Sequence, residues 1–418
     1  MRRRAKLHAT PHASFFPVLL QPLPLPQVIL KSGRDKSVRN HHPRLFAGGI
    51  KQVDGKPKEG DVVDVLDNKG EWLARGIINQ QAQIAVRLLT WNEQDNIDAA
   101  FWQRRVTEAL ARRSADPLLR ETNARRLIFS ESDGLPGVIA DDYAGHIVLQ
   151  ISTLAASNAR AWVTDALVQQ LNPTCIVERS DEERLKHEHV QHSDGPVYGT
   201  LPTGPITITE QGEHFRVHLV GGQKTGFYLD QRQNRRAVQR YVTTGSSVLN
   251  CFSYSGAFGV AAAKAGAQPI INVDSSADAL VLARENLALN QLPEQVMVCA
   301  DAFIDIRQRR HQGEQYDIVI LDPPKFAHNL QQIDKAARAY KDLNRVGLSL
   351  VKPGGILATF SCSGVISADL LQKIIFSAAI EAHRDGQIIE RLTQASDHPV
   401  LLSYPESEYL KGLIVRVE

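Results

Sequence analysis

From Val28 to about Thr90 the apolar residues come in short runs: Val28-Ile29-Leu30, Val62-Val63-Asp64-Val65, Trp72-Leu73-Ala74-Arg75-Gly76-Ile77-Ile78 and Ile84-Ala85-Val86-Arg87-Leu88-Leu89. Turn formers such as Asp67-Asn68-Lys69-Gly70 separate them, so the pattern predicts a small β-barrel, placed at residues 26–97. A mixed region follows over 98–195, with a helix predicted over 99–115, strands at 127–129, 137–140 and 146–150, a helix over 158–170 and a strand at 175–177. The stretch Gly195-Pro196-Val197-Tyr198-Gly199-Thr200-Leu201-Pro202-Thr203-Gly204-Pro205 has the composition of a linker and marks the start of a last domain, 196–418. There the pattern becomes strand-helix alternation, the signature of a parallel sheet with helices on its faces.

Three α/β and β units suit a chain of 418 residues. No window approaches 18 uninterrupted apolar residues, so no membrane span is predicted. Residues 1–25 form a basic, proline-broken leader, expected to be flexible; its run Phe15-Phe16-Pro17-Val18-Leu19-Leu20 makes a poor secretory signal. The four cysteines, Cys175, Cys251, Cys299 and Cys362, are scattered, which excludes a disulfide framework and a zinc ribbon and implies a reducing, cytoplasmic setting. His187, His189 and His192 are near one another but are flanked by Glu182, Glu183 and Glu188, so a solvated polar segment is expected there and no metal.

The net charge of +2 conceals an asymmetry, because residues 1–60 hold twelve Lys/Arg against three acids, a balance of +9. A second basic stretch, Arg104-Arg105 through Arg112-Arg113 to Arg125-Arg126, is expected in a helical region. Such clustering suits a polyanion, and is also what a solvated surface looks like.

The chemistry gathers in the last domain. Strands predicted at 247–252, 269–273, 296–299, 316–321 and 355–360 are followed at once by Ser253, Asp274, Asp301, Asp322 and Cys362. In an open α/β sheet, ligands bind beyond the carboxyl ends of the strands, although a single acid there can equally cap a helix. The first exit, Asn250-Cys251-Phe252-Ser253-Tyr254-Ser255-Gly256, lacks the phosphate-cradling glycines of a dinucleotide site, while Asp274 stands where an acid commonly takes a ribose. A nucleoside without pyrophosphate fits better than NAD. In Asp322-Pro323-Pro324-Lys325-Phe326, two prolines fix an extended turn behind an acid, presenting carboxylate and carbonyl to a flat ligand.

Together these features resemble the Rossmann-like S-adenosylmethionine-dependent methyltransferases. More narrowly, Gln223-Lys224-Thr225-Gly226-Phe227-Tyr228-Leu229-Asp230-Gln231-Arg232, Val248-Leu249-Asn250-Cys251-Phe252-Ser253-Tyr254, Leu321-Asp322-Pro323-Pro324-Lys325-Phe326 and Phe360-Ser361-Cys362-Ser363-Gly364 resemble the bacterial ribosomal large-subunit methyltransferase I family, as does the stretch from His398-Pro399-Val400 to Tyr409-Leu410-Lys411-Gly412. The likeness extends from about Pro26 to Glu418; the leader departs from it. It implies an N-terminal PUA barrel, a middle α/β domain and a C-terminal class I methyltransferase domain with a mostly parallel seven-stranded sheet, acting on C5 of a cytosine in 23S rRNA, with a homodimer left open.

Aromatic C5 is a weak nucleophile, so this chemistry needs a thiolate to add at C6 first. Families that perform it place the cysteine after the fourth or fifth core strand; the fourth exit has none here, which leaves Cys362. The resemblance then implies Cys362 as nucleophile, Asp322 near N3 of the flipped base, Asp274 on the cofactor ribose, Asp301 on the adenine amino group, and Asn250 and Ser253 at the methionine end. Tyr228, Gln231 and Arg232 would close over the cofactor or carry RNA backbone. Lys325 would lower the thiolate pKa or touch phosphate, and Lys31, Arg34 and Lys36 on the barrel would hold RNA. Methylation of a base nitrogen, which needs no thiol, and a non-catalytic RNA-binding assembly factor are the competing readings.

Overall fold

The computed structural model describes residues 24–219 and 226–418. The leader up to residue 23, and Gln223-Lys224-Thr225 of the family-like stretch, lie outside the described residues.

The barrel contains the four predicted strands, at Gln27–Leu30, Val62–Leu66, Trp72–Ile78 and Ile84–Thr90, and two more at Arg44–Phe46 and Ile50–Asp54. The added pair is short and mostly half-exposed or exposed, so neither left an apolar run to read. Val28, Leu30, Val63, Val65, Ile78, Val86 and Leu88 fill the interior.

The middle domain opens on the helix Ala99–Ala115, where the Asp98 carboxylate accepts from Phe101 N at 3.0 Å and caps the first turn. Phe101, Trp102, Val106 and Leu110 on one stripe pack onto a five-stranded sheet. Its strands lie in the order Asp194–Gly199, Cys175–Arg179, His146–Ile151, Val138–Tyr143, Ala124–Phe129. The expected linker is therefore corrected in part: Asp194–Gly199 pairs antiparallel with Cys175–Arg179 as the edge strand. Glycine and proline are tolerated at an edge, which is why composition misread it. The basic stretch is corrected too. Arg125 and Arg126 lie in a strand, Arg113 is buried against Asp133 at 2.6 Å, and Arg126 pairs with Asp141 at 2.7 Å, so much of that charge is neutralised internally. The histidine segment is only partly solvated, because Glu188 is buried and paired with Arg87. No group able to hold a metal occurs among the described residues.

An unpredicted hairpin, Ile206–Glu210 with Glu213–Val217, joins the middle sheet to the last domain. Glu213 is buried beside Glu210, and burial with that neighbouring carboxylate pushes its pKa up to about 7. The folded value exceeds the usual 4.5, so folding favours the protonated acid. The associated stability is full below the usual value and is lost as pH rises through about 7. Glu213→Gln should accordingly flatten the fall in melting temperature between pH 5 and 8 and stabilise the protein at pH 8 by roughly 1–3 kcal/mol. An unchanged pH slope in differential scanning fluorimetry would refute this.

The last domain is built on seven strands: β1 Val248–Cys251, β2 Ile270–Asp274, β3 Val296–Cys299, β4 Tyr316–Leu321, β5 Val351–Ser361, β6 Gly386–Thr393 and β7 Lys411–Val417. Their order is β3-β2-β1-β4-β5-β7-β6, parallel except for β7, which runs antiparallel to both neighbours. The central strands β1 and β4 are buried along almost their whole length, as a sheet covered on both faces requires. On one face lie α3 (Ala302–His311), α4 (Ile333–Ser349) and α5 (Ala368–Ala382). The other carries α1 (Ala257–Lys264) and the preceding helix Arg232–Gln239. The order reverses at β1 and β4, which places the ligand crevice at their carboxyl ends. Among the described residues no helix is long and apolar enough to cross a membrane.

Candidate active site

The turn after β1 is held in an uncommon backbone. Phe252, Tyr254 and Gly256 all have positive φ, at 59°, 45° and 72°, an arrangement that for large side chains persists only when neighbours enforce it. Ser253 N donates to Val273 O at 3.0 Å, and Tyr254 N to the Asp274 carboxylate at 2.8 Å. Asp274 also accepts from Ser276 N at 2.9 Å, so the acid at the end of β2 shapes the turn after β1. At Gly256 a Cβ would lie 2.8 Å from that of Ala283 on α2 (Ala277–Leu289). Gly256→Ala should therefore cost roughly 1–3 kcal/mol by loosening this turn. Melting curves of the two proteins would check it, and an unshifted melting temperature would contradict it.

This turn opens onto a cavity of about 1250 Å³ walled by all three domains. Its floor is formed by Ser253, Tyr254, Asp274, Asp322, Pro323, Pro324, Lys325 and Cys362. Cys362 is half-buried, with Sγ 3.9 Å from Pro323 O, so the exits of β4 and β5 meet there. The fully buried serines on either side pin it: Ser363 N donates to Ser361 Oγ at 3.3 Å, and Ser363 Oγ accepts from Ala327 N at 3.3 Å and lies 3.2 Å from Tyr340 OH. Tyr228 also lines the cavity, edge-on to Tyr254 with ring centroids 5.3 Å apart. Burial and the neighbouring Asp322 carboxylate raise its phenol pKa, keeping it a neutral donor. Gln231 lies on the wall, nearly buried, its Oε1 accepting from Asn234 at 2.6 Å.

Three expected contacts are not brought together with these. Asn250 is buried and donates to Asn272 Oδ1 at 2.9 Å within the sheet; Ser253, past the strand end, reaches the wall instead. Asp301 is exposed and caps α3, accepting from Phe303 N at 2.8 Å and Ile304 N at 3.2 Å, away from the cavity wall. Arg232 is fully buried: it donates to Glu210 at 3.2 Å, to Asp397 at 3.0 Å and to Ala124 O at 2.6 Å, joining the hairpin, the middle sheet and the loop before His398. It does not line the cavity. Lys31, Arg34 and Lys36 are exposed on the barrel, Lys31 donating to Gly48 O at 3.0 Å, and they stand outside the cavity wall.

Other residues on the cavity wall escaped the sequence reading. Phe129, Ile139 and Gln150 stand in register across three strands of the middle sheet, each half-exposed and facing the cavity. From the barrel, Arg44 and Arg87 reach Glu131 at 2.6 and 3.0 Å. The strand alternation at 129, 139 and 150 was the available signal, but pairing across strands is needed to turn it into one surface.

The residues fit a nucleoside cofactor. Ser253 Oγ is buried on the cavity wall and has no hydrogen-bond partner among the described residues, and the Asp274 carboxylate stands at the end of the neighbouring strand. Comparison with known proteins agrees with that fit. A family model described as S-adenosylmethionine-dependent methyltransferase matches residues 146–416, and one for a PUA-like domain matches residues 28–91. A Streptococcus mutans protein proposed to be a SAM-dependent methyltransferase superposes with a TM-score of 0.79, at 22% identity, over 93% of this chain and 99% of its own. A proposed methyltransferase complexed with S-adenosylhomocysteine superposes at 0.80, with 22% identity over the same shares, and supports the shared fold. The ribosomal RNA large subunit methyltransferase I of Shewanella frigidimarina is 46% identical over 396 residues, 94% of this chain and 99% of that protein. The protein of that name from Klebsiella pneumoniae is 45% identical over 395 residues, 94% and 98% of the two chains. A floor built from the β1, β2, β4 and β5 exits beneath a PUA-like barrel, with relatives this close along nearly its whole length, places the chain in the S-adenosylmethionine-dependent ribosomal RNA large subunit methyltransferase I family.

Proposed function

We propose that this chain methylates C5 of a cytosine in 23S rRNA through a covalent adduct on Cys362. The observation that carries the proposal is the meeting of Cys362 with the Asp322-Pro323-Pro324-Lys325 turn on one cavity floor, Sγ 3.9 Å from Pro323 O. S-adenosylmethionine, when bound, supplies an electrophilic methyl on a sulfonium sulfur that departs as a neutral thioether. The Cys362 thiolate gives its electron pair to C6, and the displaced π electrons run through C4 to N3, which takes a proton from Asp322, a carboxylate in the free enzyme that picks up that proton from solvent as the base binds. The resulting C4–C5 double bond makes C5 nucleophilic enough to accept the methyl. Loss of the C5 proton to solvent then restores the C5–C6 double bond, the C6–Sγ pair returns to sulfur and N3 gives its proton back to Asp322.

Ser253 and Asp274 hold the cofactor in this reading, and Tyr228 and Gln231 border it. The target base has to leave its stack to reach the floor, which suits loosely structured rRNA. Lys31, Arg34, Lys36 and Lys325 bind phosphate, the first three from the exposed barrel loop, and the protein works in the cytoplasm on the large subunit RNA or its precursor. Methyl transfer from labelled cofactor to unmodified 23S rRNA, with the product nucleoside resolved, tests the reading. The expected product is 5-methylcytidine; a base methylated on nitrogen would refute it, and RNA binding without transfer would favour an assembly factor.

A further inference from the structure

Lys411 opens β7 directly across from Ser361 of β5 and is 4% exposed. A lysine this buried normally has a carboxylate partner. Among the described residues none lies within ion-pair distance; its Nζ instead donates to three main-chain carbonyls, those of Ser363 at 3.4 Å and of Glu408 and Tyr409 at 3.3 Å each. Three acceptors match the three N–H bonds of an ammonium and leave a neutral amine one hydrogen short. The site is thus built for a cation, and it is tied to the residue that follows Cys362.

We infer that Lys411 is a positioning residue for Cys362: its buried ammonium, strung between Ser363 and the 408–409 main chain, fixes the cysteine turn and stabilises the thiolate. This inference rests on the reading of Cys362 as nucleophile. The other groups acting around the thiol are Tyr228, on the segment before the Arg232–Gln239 helix, Tyr340 on α4, and Asp322 and Lys325 on the β4 turn. The two phenols have raised pKa values through burial and stay neutral, while Asp322 opposes a second negative charge. Lys325 is exposed and screened by solvent, whereas Lys411 acts through protein. Burial lowers the pKa of Lys411, and Glu408 and the Cys362 thiolate counter it, so the lysine and the thiolate support each other's charge. A role as the base that takes the C5 proton does not fit, since its three N–H bonds point into carbonyls.

The test is alkylation of the full-length protein by iodoacetamide from pH 5 to 10, with the rate at Cys362 followed by peptide mass spectrometry. Exposed Cys299 serves as an internal control. In the wild type, Cys362 should reach half-maximal rate about one pH unit or more below the ordinary ~8.5 of a free thiol. Lys411→Met should remove that advantage and slow alkylation at pH 7 about tenfold, without changing Cys299, and Lys411→Arg should keep most of the wild-type profile. A wild-type Cys362 that titrates at or above the ordinary value overturns the inference even if Lys411→Met does not fold; so does a folded Lys411→Met with an unchanged profile. Turnover by Cys362→Ala would sink the nucleophile reading separately, because alkylation does not depend on methyl transfer.

Discussion

Cys362→Ala is expected to lower methyl transfer to 23S rRNA by at least ~10³-fold while leaving cofactor affinity within about twofold. The split follows from the site. Sγ lies beside the Pro323 carbonyl on the cavity floor, whereas Ser253 and Asp274, proposed to hold the cofactor, belong to other strand exits. The small side chain leaves the pinned turn intact, because its anchors are the hydroxyls of Ser361 and Ser363 and not the thiol. Cys362→Ser should fall nearly as far, since a hydroxyl without a neighbouring base is a poor nucleophile at neutral pH. Isothermal titration with S-adenosylhomocysteine and single-turnover methylation measure the two halves. Retained turnover, or lost turnover together with lost cofactor binding, would contradict the assignment.

The second large effect is on stability. Arg232→Ala should destabilise the protein by roughly 3–5 kcal/mol, because it strips a fully buried cation from Glu210, Asp397 and the Ala124 carbonyl at once. Asp397 feels the loss most. Burial alone would raise its pKa; Arg232, with His398 hydrogen-bonded to it at 2.8 Å, instead holds the carboxyl well below the usual 3.8. A depressed acid contributes stability above its unfolded value and loses it as pH falls through the folded one, so the Arg232→Ala penalty should shrink in acid below the ordinary carboxylate range. Arg232→Lys should recover only part, since one ammonium cannot reproduce a fork that spans three acceptors. Urea unfolding at pH 7 and pH 3 measures both, and a loss below about 1 kcal/mol at pH 7 would contradict the structural role.

Arg232 also shows where sequence reading stops. Its partners Glu210 and Asp397 lie 22 and 165 residues away, and an arginine in an isolated polar helix reads as exposed. The core strands were legible because β-branched runs such as Tyr316–Leu321 and Ile270–Asp274 carry their own signal. The edges were not: Asp194–Gly199 and Arg44–Phe46 are fixed by pairing with strands elsewhere in the chain. The floor of the site was legible in part for the same reason. Ser253, Asp322 and Cys362 follow strand ends, and the topology brings such positions together whatever the loops do. Asn250 is still inside β1, where the sheet decides what its side chain meets, and Asp301 caps α3, and neither lines the cavity. The middle-sheet part of the cavity wall depends on two domains meeting, which no local pattern encodes.

Covalent capture tests the central claim most directly. A 23S rRNA fragment carrying 5-fluorocytosine should accept the thiolate at C6 and the methyl at C5 and then stall, because fluorine does not leave as the C5 proton does. Incubated with S-adenosylmethionine, the enzyme should form a denaturation-resistant protein–RNA adduct whose mass includes one methyl group and whose digestion places the link on Cys362. An adduct on another residue, or no adduct under conditions in which unfluorinated RNA is methylated, would contradict addition of Cys362 to the base.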